Sequence, residues 1–122
     1  MDFDERYAFV TGDGEYSGVR KIADTVKRDL YMVTGNSGED YSPEEFRGNL
    51  IIYGTIGKSE IVESLAEEKR LDLSRIRNKR EVYGFFVIKE PMRNVKEAVV
   101  IVGSDKRGTI YGLFRLSELI GV

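Results

Sequence analysis

The sequence predicts an α/β (α+β) fold, a sandwich of helices against a mixed sheet in the order β-α-β-α-β-β-α. Short runs of β-branched and aromatic residues alternate with stretches whose apolar residues recur every three or four positions. The last two β-type runs follow each other across a short loop, which makes that pair antiparallel, whereas strands separated by helices call for right-handed parallel crossovers. At 122 residues the chain fits one domain, spanning 1–122, with no repeat, low-complexity tract or internal linker.

The elements follow in order. Arg6-Tyr7-Ala8-Phe9-Val10-Thr11 is a β-type run stopped by Gly12-Asp13-Gly14, residues that favour turns. Ser17 is placed to cap the first helix, in which Val19, Ile22, Ala23, Val26, Leu30 and Val33 share a stripe and Gly35 supplies a left-handed stop. Residues 36–49 read as a surface loop with one helical turn at Pro43-Glu44-Glu45-Phe46. Leu50-Ile51-Ile52-Tyr53 is a continuous apolar run, the mark of a strand covered on both faces, and Gly54 is expected to end it. Ser59 opens a second helix with Ile61, Val62, Leu65 and Ala66 inward and Glu60, Glu63, Glu67, Glu68 and Lys69 toward water. A basic connector follows. Glu81-Val82-Tyr83-Gly84-Phe85-Phe86-Val87-Ile88 is the third strand, closed by Pro91, and residues 90–96 form the hairpin loop into Ala98-Val99-Val100-Ile101-Val102. The last helix runs from Arg107 to Ile120 with Ile110, Leu113, Phe114, Leu116 and Ile120 inward and Gly121 as its stop.

Composition narrows the chemistry. With neither cysteine nor histidine the chain has no disulfide, thiolate or imidazole ligand, nucleophilic cysteine or Ser-His-Asp triad. No metal or cofactor site is expected. The start, Met1-Asp2-Phe3-Asp4-Glu5-Arg6, is acidic where an export signal would be basic and then apolar, so a cytoplasmic address is expected if Met1 is the native start. No apolar run approaches the roughly 20 residues of a membrane span. A net charge of −2 gives no general pull toward nucleic acid or anionic lipid, and the local cluster Lys69, Arg70, Arg75, Arg77, Lys79 and Arg80 reads as a solvated face.

Two glycine-containing turns stand where a strand hands over to a helix. Gly54-Thr55-Ile56-Gly57-Lys58-Ser59 has the context of a phosphate loop, but a Walker-type loop needs a glycine where this chain has Ile52. A strand-to-helix turn is the expectation, with a phosphate- or nucleotide-binding module as the alternative. In Gly103-Ser104-Asp105-Lys106-Arg107-Gly108 the amides are placed for an anion, while Ser104 and Asp105 are ordinary helix-start residues. Ser104, Asp105, Lys106, Arg107 and Gly108 are therefore the candidate interdomain or anion contact, with Lys106 and Arg107 reaching outward. Glu44-Glu45 and Glu67-Glu68 point about 100° apart on a helix, so they nominate no opposed pair of the kind a glycosidase needs. No catalytic residue is assigned. Tyr7, Tyr16, Tyr31, Tyr41, Tyr53, Tyr83 and Tyr111 offer a sugar-stacking platform as a third reading, against a simpler role at the core's edge.

The terminal block GSDKRGTIYGLFRLSELIGV, residues 103–122, resembles the end of the amino-terminal domain of family 115 glycoside hydrolases. VKRDLYMVTG at 26–35, GTIGKS at 54–59 and VKEAVVIVGSDKRG at 95–108 extend the resemblance over nearly the whole chain. It implies a non-catalytic accessory domain of a multidomain α-glucuronidase, one that removes α-1,2-linked glucuronic acid or its 4-O-methyl ether from xylan. The catalytic carboxylates would lie on a barrel that follows in the same polypeptide. That barrel and, in the whole enzyme, xylan side chains would be the partners; no cofactor is implied. The implied fold is like the non-catalytic domain preceding the barrel in hexosaminidases and family 67 α-glucuronidases. Arg80 before Glu81, where the family commonly has an aromatic residue, and Leu113-Phe114-Arg115, where it has a more tyrosine- and acid-containing run, bear on substrate and interface rather than on fold.

Overall fold

A computed structural model of the chain describes residue 3 and residues 5–121. Met1, Asp2, Asp4 and Val122 lie outside the described residues, so the acidic start and the terminal block are described only in part. The elements are β1 (Tyr7–Val10), α1 (Ser17–Thr34), β2 (Glu39–Asp40), β3 (Gly48–Thr55), α2 (Glu60–Glu67), β4 (Tyr83–Lys89), β5 (Val95–Gly103) and α3 (Lys106–Ile120). They form one five-stranded sheet in the order β2-β1-β3-β5-β4, parallel throughout except for the antiparallel β4–β5 pair. The predicted mixed sheet and hairpin are both present.

Side chains alternate across the pleat, so a central strand must be apolar on both sides. In β3, Leu50 and Ile52 enter one core with Ala8, Val100, Val102, Val62 and Leu65. Ile51 and Tyr53 enter the other with Tyr7, Phe9, Ile101, Val26, Leu30 and Leu113. α2 therefore covers one face and α1 with α3 the other, which makes three layers. Gly35 and Gly121 end α1 and α3 with φ of 72° and 99°, left-handed values that glycine adopts without a Cβ clash.

Several expectations are corrected. β2 was not foreseen: two acidic residues carry no apolar signal, and the strand forms because Ala8 and Phe9 of β1 pair with Glu39 and Asp40 while Arg6 clamps Glu39 at 2.7 Å. Gly54 lies inside β3 rather than ending it; a Cβ there would fall 2.5 Å from that of Ser59, so the glycine admits the start of α2. Ser17 is the first helical residue, not the cap; Tyr16 holds that place without a side-chain bond. Ser59 does occupy the cap of α2, but its hydroxyl accepts from Gly12 N at 3.3 Å instead of from its own helix. Glu81, expected in the third strand, has φ of 57° and precedes it, and β5 begins at Val95, which shortens the hairpin loop.

Two further differences concern burial. Phe114 is 41% exposed, because the buried face of α3 is built from Gly108, Thr109, Gly112 and Ser117 along with Leu113 and Leu116. The basic connector is more than a solvated face: Leu71, Leu73 and Ile76 enter the core beside α2 while its cations stay outside. Arg70 donates to Lys89 O at 2.7 Å, and Arg77 pairs with Glu63 at 3.4 Å.

Candidate functional site

In an open parallel sheet the crevice for a ligand lies beyond the carboxyl ends of the strands, where successive crossovers leave toward opposite faces. Here that point falls between β1 and β3, because α1 and α2 pack on opposite sides. The residues gathered there are 11–15 after β1, 55–59 at and beyond the end of β3, and 103–105 at and beyond the end of β5. They take in part of each glycine turn singled out in the sequence.

The crevice is filled by the chain's own carboxylates. Glu15, 6% exposed, accepts from Thr55 N at 2.6 Å and meets Thr55 Oγ1 at 2.8 Å. Thr55 Oγ1 lies 2.6 Å from Thr109 Oγ1, which in turn reaches Asp105 O at 3.1 Å, so one polar chain joins the start of α1 to the start of α3. Glu60 accepts from Asp13 N at 3.0 Å and Gly14 N at 3.2 Å. Thr11 Oγ1 donates to Tyr53 O at 2.6 Å, and Arg20 donates to Gly12 O at 2.6 Å. A turn of consecutive amides is an anion-binding concavity, and here a tethered glutamate occupies it.

The turn at 54–59 offers no cradle either. The amides of Lys58 and Ser59 both point to Thr55 O, at 2.9 and 3.1 Å. Lys58 and Lys106 instead lie over the ring of Tyr16, 5.3 and 5.9 Å from its centroid. The short turn follows from Ile52 standing where a phosphate loop would have a glycine.

Of the cluster at 104–108, three members are engaged inside the domain. Asp105 caps α3 by accepting from Gly108 N at 2.8 Å and also accepts from Glu81 N at 2.9 Å. The Gly108 amide, then that of Glu81, holds the Asp105 carboxyl below the usual range for an aspartate. Ser104 Oγ accepts from Val82 N at 3.0 Å, and Ser104 N donates to Val82 O at 2.8 Å. Gly108 lies against the Val82 carbonyl, where a Cβ has no room. The cluster thus fixes where the chain enters β4. Lys106 and Arg107 stay exposed, Arg107 at 2.9 Å from Glu81.

The tyrosines disperse. Tyr7 and Tyr53 are buried, and burial pushes the Tyr53 phenol up to about 12. Tyr53 borders an open groove of about 470 Å³ with Arg20, Asp24, Lys27, Asp40 and Tyr41. Its cations are engaged within the domain, Arg20 on Gly12 O and Lys27 beside Asp24 at 3.7 Å and over the Phe9 ring. Tyr31 and Tyr111 are exposed on the two helices of one face, and Tyr16 is exposed at the cap of α1. Among the described residues no cluster of three or more acids is placed to hold a metal, and no helix is long and apolar enough to cross a membrane. Glu15 and Glu60 are the residues that sequence reasoning missed. Their signal was an acid directly after a glycine turn and another directly after a helix cap.

No protein-family profile and no curated protein matches the chain. Among solved structures it is similar to a family GH115 4-O-methyl-α-glucuronidase, BtGH115A, with specificity for decorated arabinogalactans. The similarity covers 96% of this chain at 30% identity and a TM-score of 0.69. The chain spans 14% of that enzyme's length. In fold and in sequence the chain is consistent with an amino-terminal domain of a family 115 glycoside hydrolase.

Proposed function

We propose that the chain, 1–122, is the non-catalytic leading domain of an enzyme that removes α-linked glucuronic acid or its 4-O-methyl ether from a plant polysaccharide. The barrel carrying the catalytic carboxylates lies in the same polypeptide. The observation that carries this reading is the similarity itself: nearly the whole chain corresponds to a domain-sized seventh of an α-glucuronidase. The geometry supports it, since Glu15 and Glu60, the acids at the crevice, are both engaged by neighbouring amides and hydroxyls.

Xylan is the polymer we propose, on the four sequence blocks described above. The solved relative is named for decorated arabinogalactans, and the two share the uronic acid rather than the backbone. Lys106 and Arg107 are proposed to reach the neighbouring domain. The test compares this chain with the polypeptide its gene encodes, each incubated with glucuronoxylan and with glucuronidated arabinogalactan. Release of 4-O-methylglucuronic acid from glucuronoxylan by the whole polypeptide and none by the chain is the expected result. Release by the chain alone, or a gene without a barrel, overturns it.

A further inference from the structure

The sheet has two edges, and they are built differently. β2 is two residues long, both acidic, with Glu39 tied to Arg6. A short charged edge of this kind resists pairing with another chain. β4 has seven residues, Tyr83-Gly84-Phe85-Phe86-Val87-Ile88-Lys89, with neither charge nor proline before its last position. Natural edges of this length usually carry such a guard.

The register tells which backbone groups are open. Ser104 N donates to Val82 O and Glu90 N to Lys96 O, and the strands pair Gly84 with Val102 and Phe86 with Val100. In an antiparallel ladder a residue turns its N–H and C=O to the same side. Even-numbered residues therefore face β5, and Tyr83, Phe85, Val87 and Lys89 face away from it. Arg70 covers the Lys89 carbonyl at 2.7 Å, which leaves Tyr83, Phe85 and Val87 as the open stretch. Val87 is 63% exposed.

We propose that β4 pairs antiparallel with β4 of a second copy about a twofold axis at Phe85, joining the two sheets edge to edge. This register sets Tyr83 opposite the second copy's Val87, an aromatic against a β-branched residue, and Gly84 opposite its Phe86. Beyond the ladder it brings Arg80 toward the second copy's Glu90, and the twofold repeats this pair, so opposite charges meet at both ends. Moving the axis to Val87 would put Lys89 opposite Phe85 and lose both pairs. The contact is isologous, and because β2 is guarded the assembly closes at two copies.

The test is sedimentation of the 122-residue chain up to about 500 µM, with a species of twice 13.9 kDa expected. V87K adds a charge at an exposed position whose N–H serves no bond within the sheet, and should raise the dissociation constant about tenfold or more. R80E and E90K should each weaken the dimer about threefold, and the double variant should restore it. Met32, 82% exposed on α1, is the control: M32K should leave association unchanged. Circular dichroism confirms that each variant is folded, and the charge swap stands if V87K is not. A chain that stays monomeric at the highest concentration, a dimer indifferent to V87K, or a double variant no tighter than the singles overturns the proposal.

Discussion

Replacing Glu15 separates the polar chain that joins α1, β3 and α3 from the packing around it. Glu15 receives Thr55 N at 2.6 Å and Thr55 Oγ1 at 2.8 Å in a site that is 6% exposed. Alanine leaves the Thr55 amide without an acceptor, which costs about 1–3 kcal/mol, and removes two further bonds to a carboxylate, from Thr55 Oγ1 and from Tyr16 N at 3.0 Å. Part of that is returned because a carboxylate no longer has to be held out of water. The Thr55 hydroxyl also keeps Thr109 as a partner at 2.6 Å. The net expectation for Glu15→Ala is a loss of about 2 kcal/mol, or roughly 8 °C in Tm for a domain of this size. Glu15→Gln behaves differently by donor counting. The amide oxygen still takes Thr55 N, and the amide NH₂ donates to Thr55 Oγ1. Thr55 then donates to Thr109 and Thr109 to Asp105 O, and only the Tyr16 amide, which donates to Glu15 Oε2 at 3.0 Å, loses its acceptor. Glutamine should therefore lose about 1 kcal/mol, half of the alanine cost. Differential scanning calorimetry of the three proteins decides. A Glu15→Ala protein melting within a degree of the parent, or a Glu15→Gln protein that falls as far as alanine, refutes the accounting.

Asp105→Ala should lose about 1–2 kcal/mol in urea unfolding, since it removes both the α3 cap and the bond to Glu81 N. The folded carboxyl is held below its ordinary value, so this stability is present above that value and disappears as pH falls through the depressed one. Parent and variant should converge in strong acid, and a gap that persists there argues against the cap. Tyr53 titrates late, with the folded phenol near 12 against an ordinary 10. The folded phenol holds its proton between pH 10 and 12 where the unfolded one loses it, so the stability of the parent relative to Tyr53→Phe should fall across that window; a constant difference refutes the assignment.

Much of the fold is legible in the sequence because its signals are local. Leu50-Ile51-Ile52-Tyr53 reads as a doubly covered strand from its own residues, and Gly35 and Gly121 mark helix ends because a left-handed residue is needed there. What escaped depends on partners distant in the chain. Ser59 has the look of a cap, yet its hydroxyl serves Gly12, 47 residues away. β2 exists through Arg6 and pairing with Ala8 and Phe9 of β1, so no window around Glu39 and Asp40 contains its cause. Spacing on α3 puts Phe114 inside because it cannot tell a large buried residue from a large exposed one when glycine, threonine and serine make the packed face. At the crevice the sequence located both turns and missed what fills them. Glu15 and Glu60 look like ordinary surface acids until β1 and β3 are set side by side.

Those two acids bear on where the domain's function resides. Ligands enter this class of sheet at the crevice where Glu60 meets the Asp13 and Gly14 amides and Glu15 meets Thr55. A tethered carboxylate competes there at an effective concentration on the order of millimolar or above, so a free uronate or phosphate gains the amides only by displacing it. Displacement would also strip Glu15 from Thr55 and loosen the joint between α1 and β3. The position that other sheets give to a ligand is spent here on holding elements together. The surfaces we propose for recognition lie outside the crevice: the open backbone of β4 between Tyr83 and Val87, and the exposed Lys106 and Arg107 at the head of α3. A shared sheet architecture does not carry its usual ligand site with it when its own acids occupy the crevice.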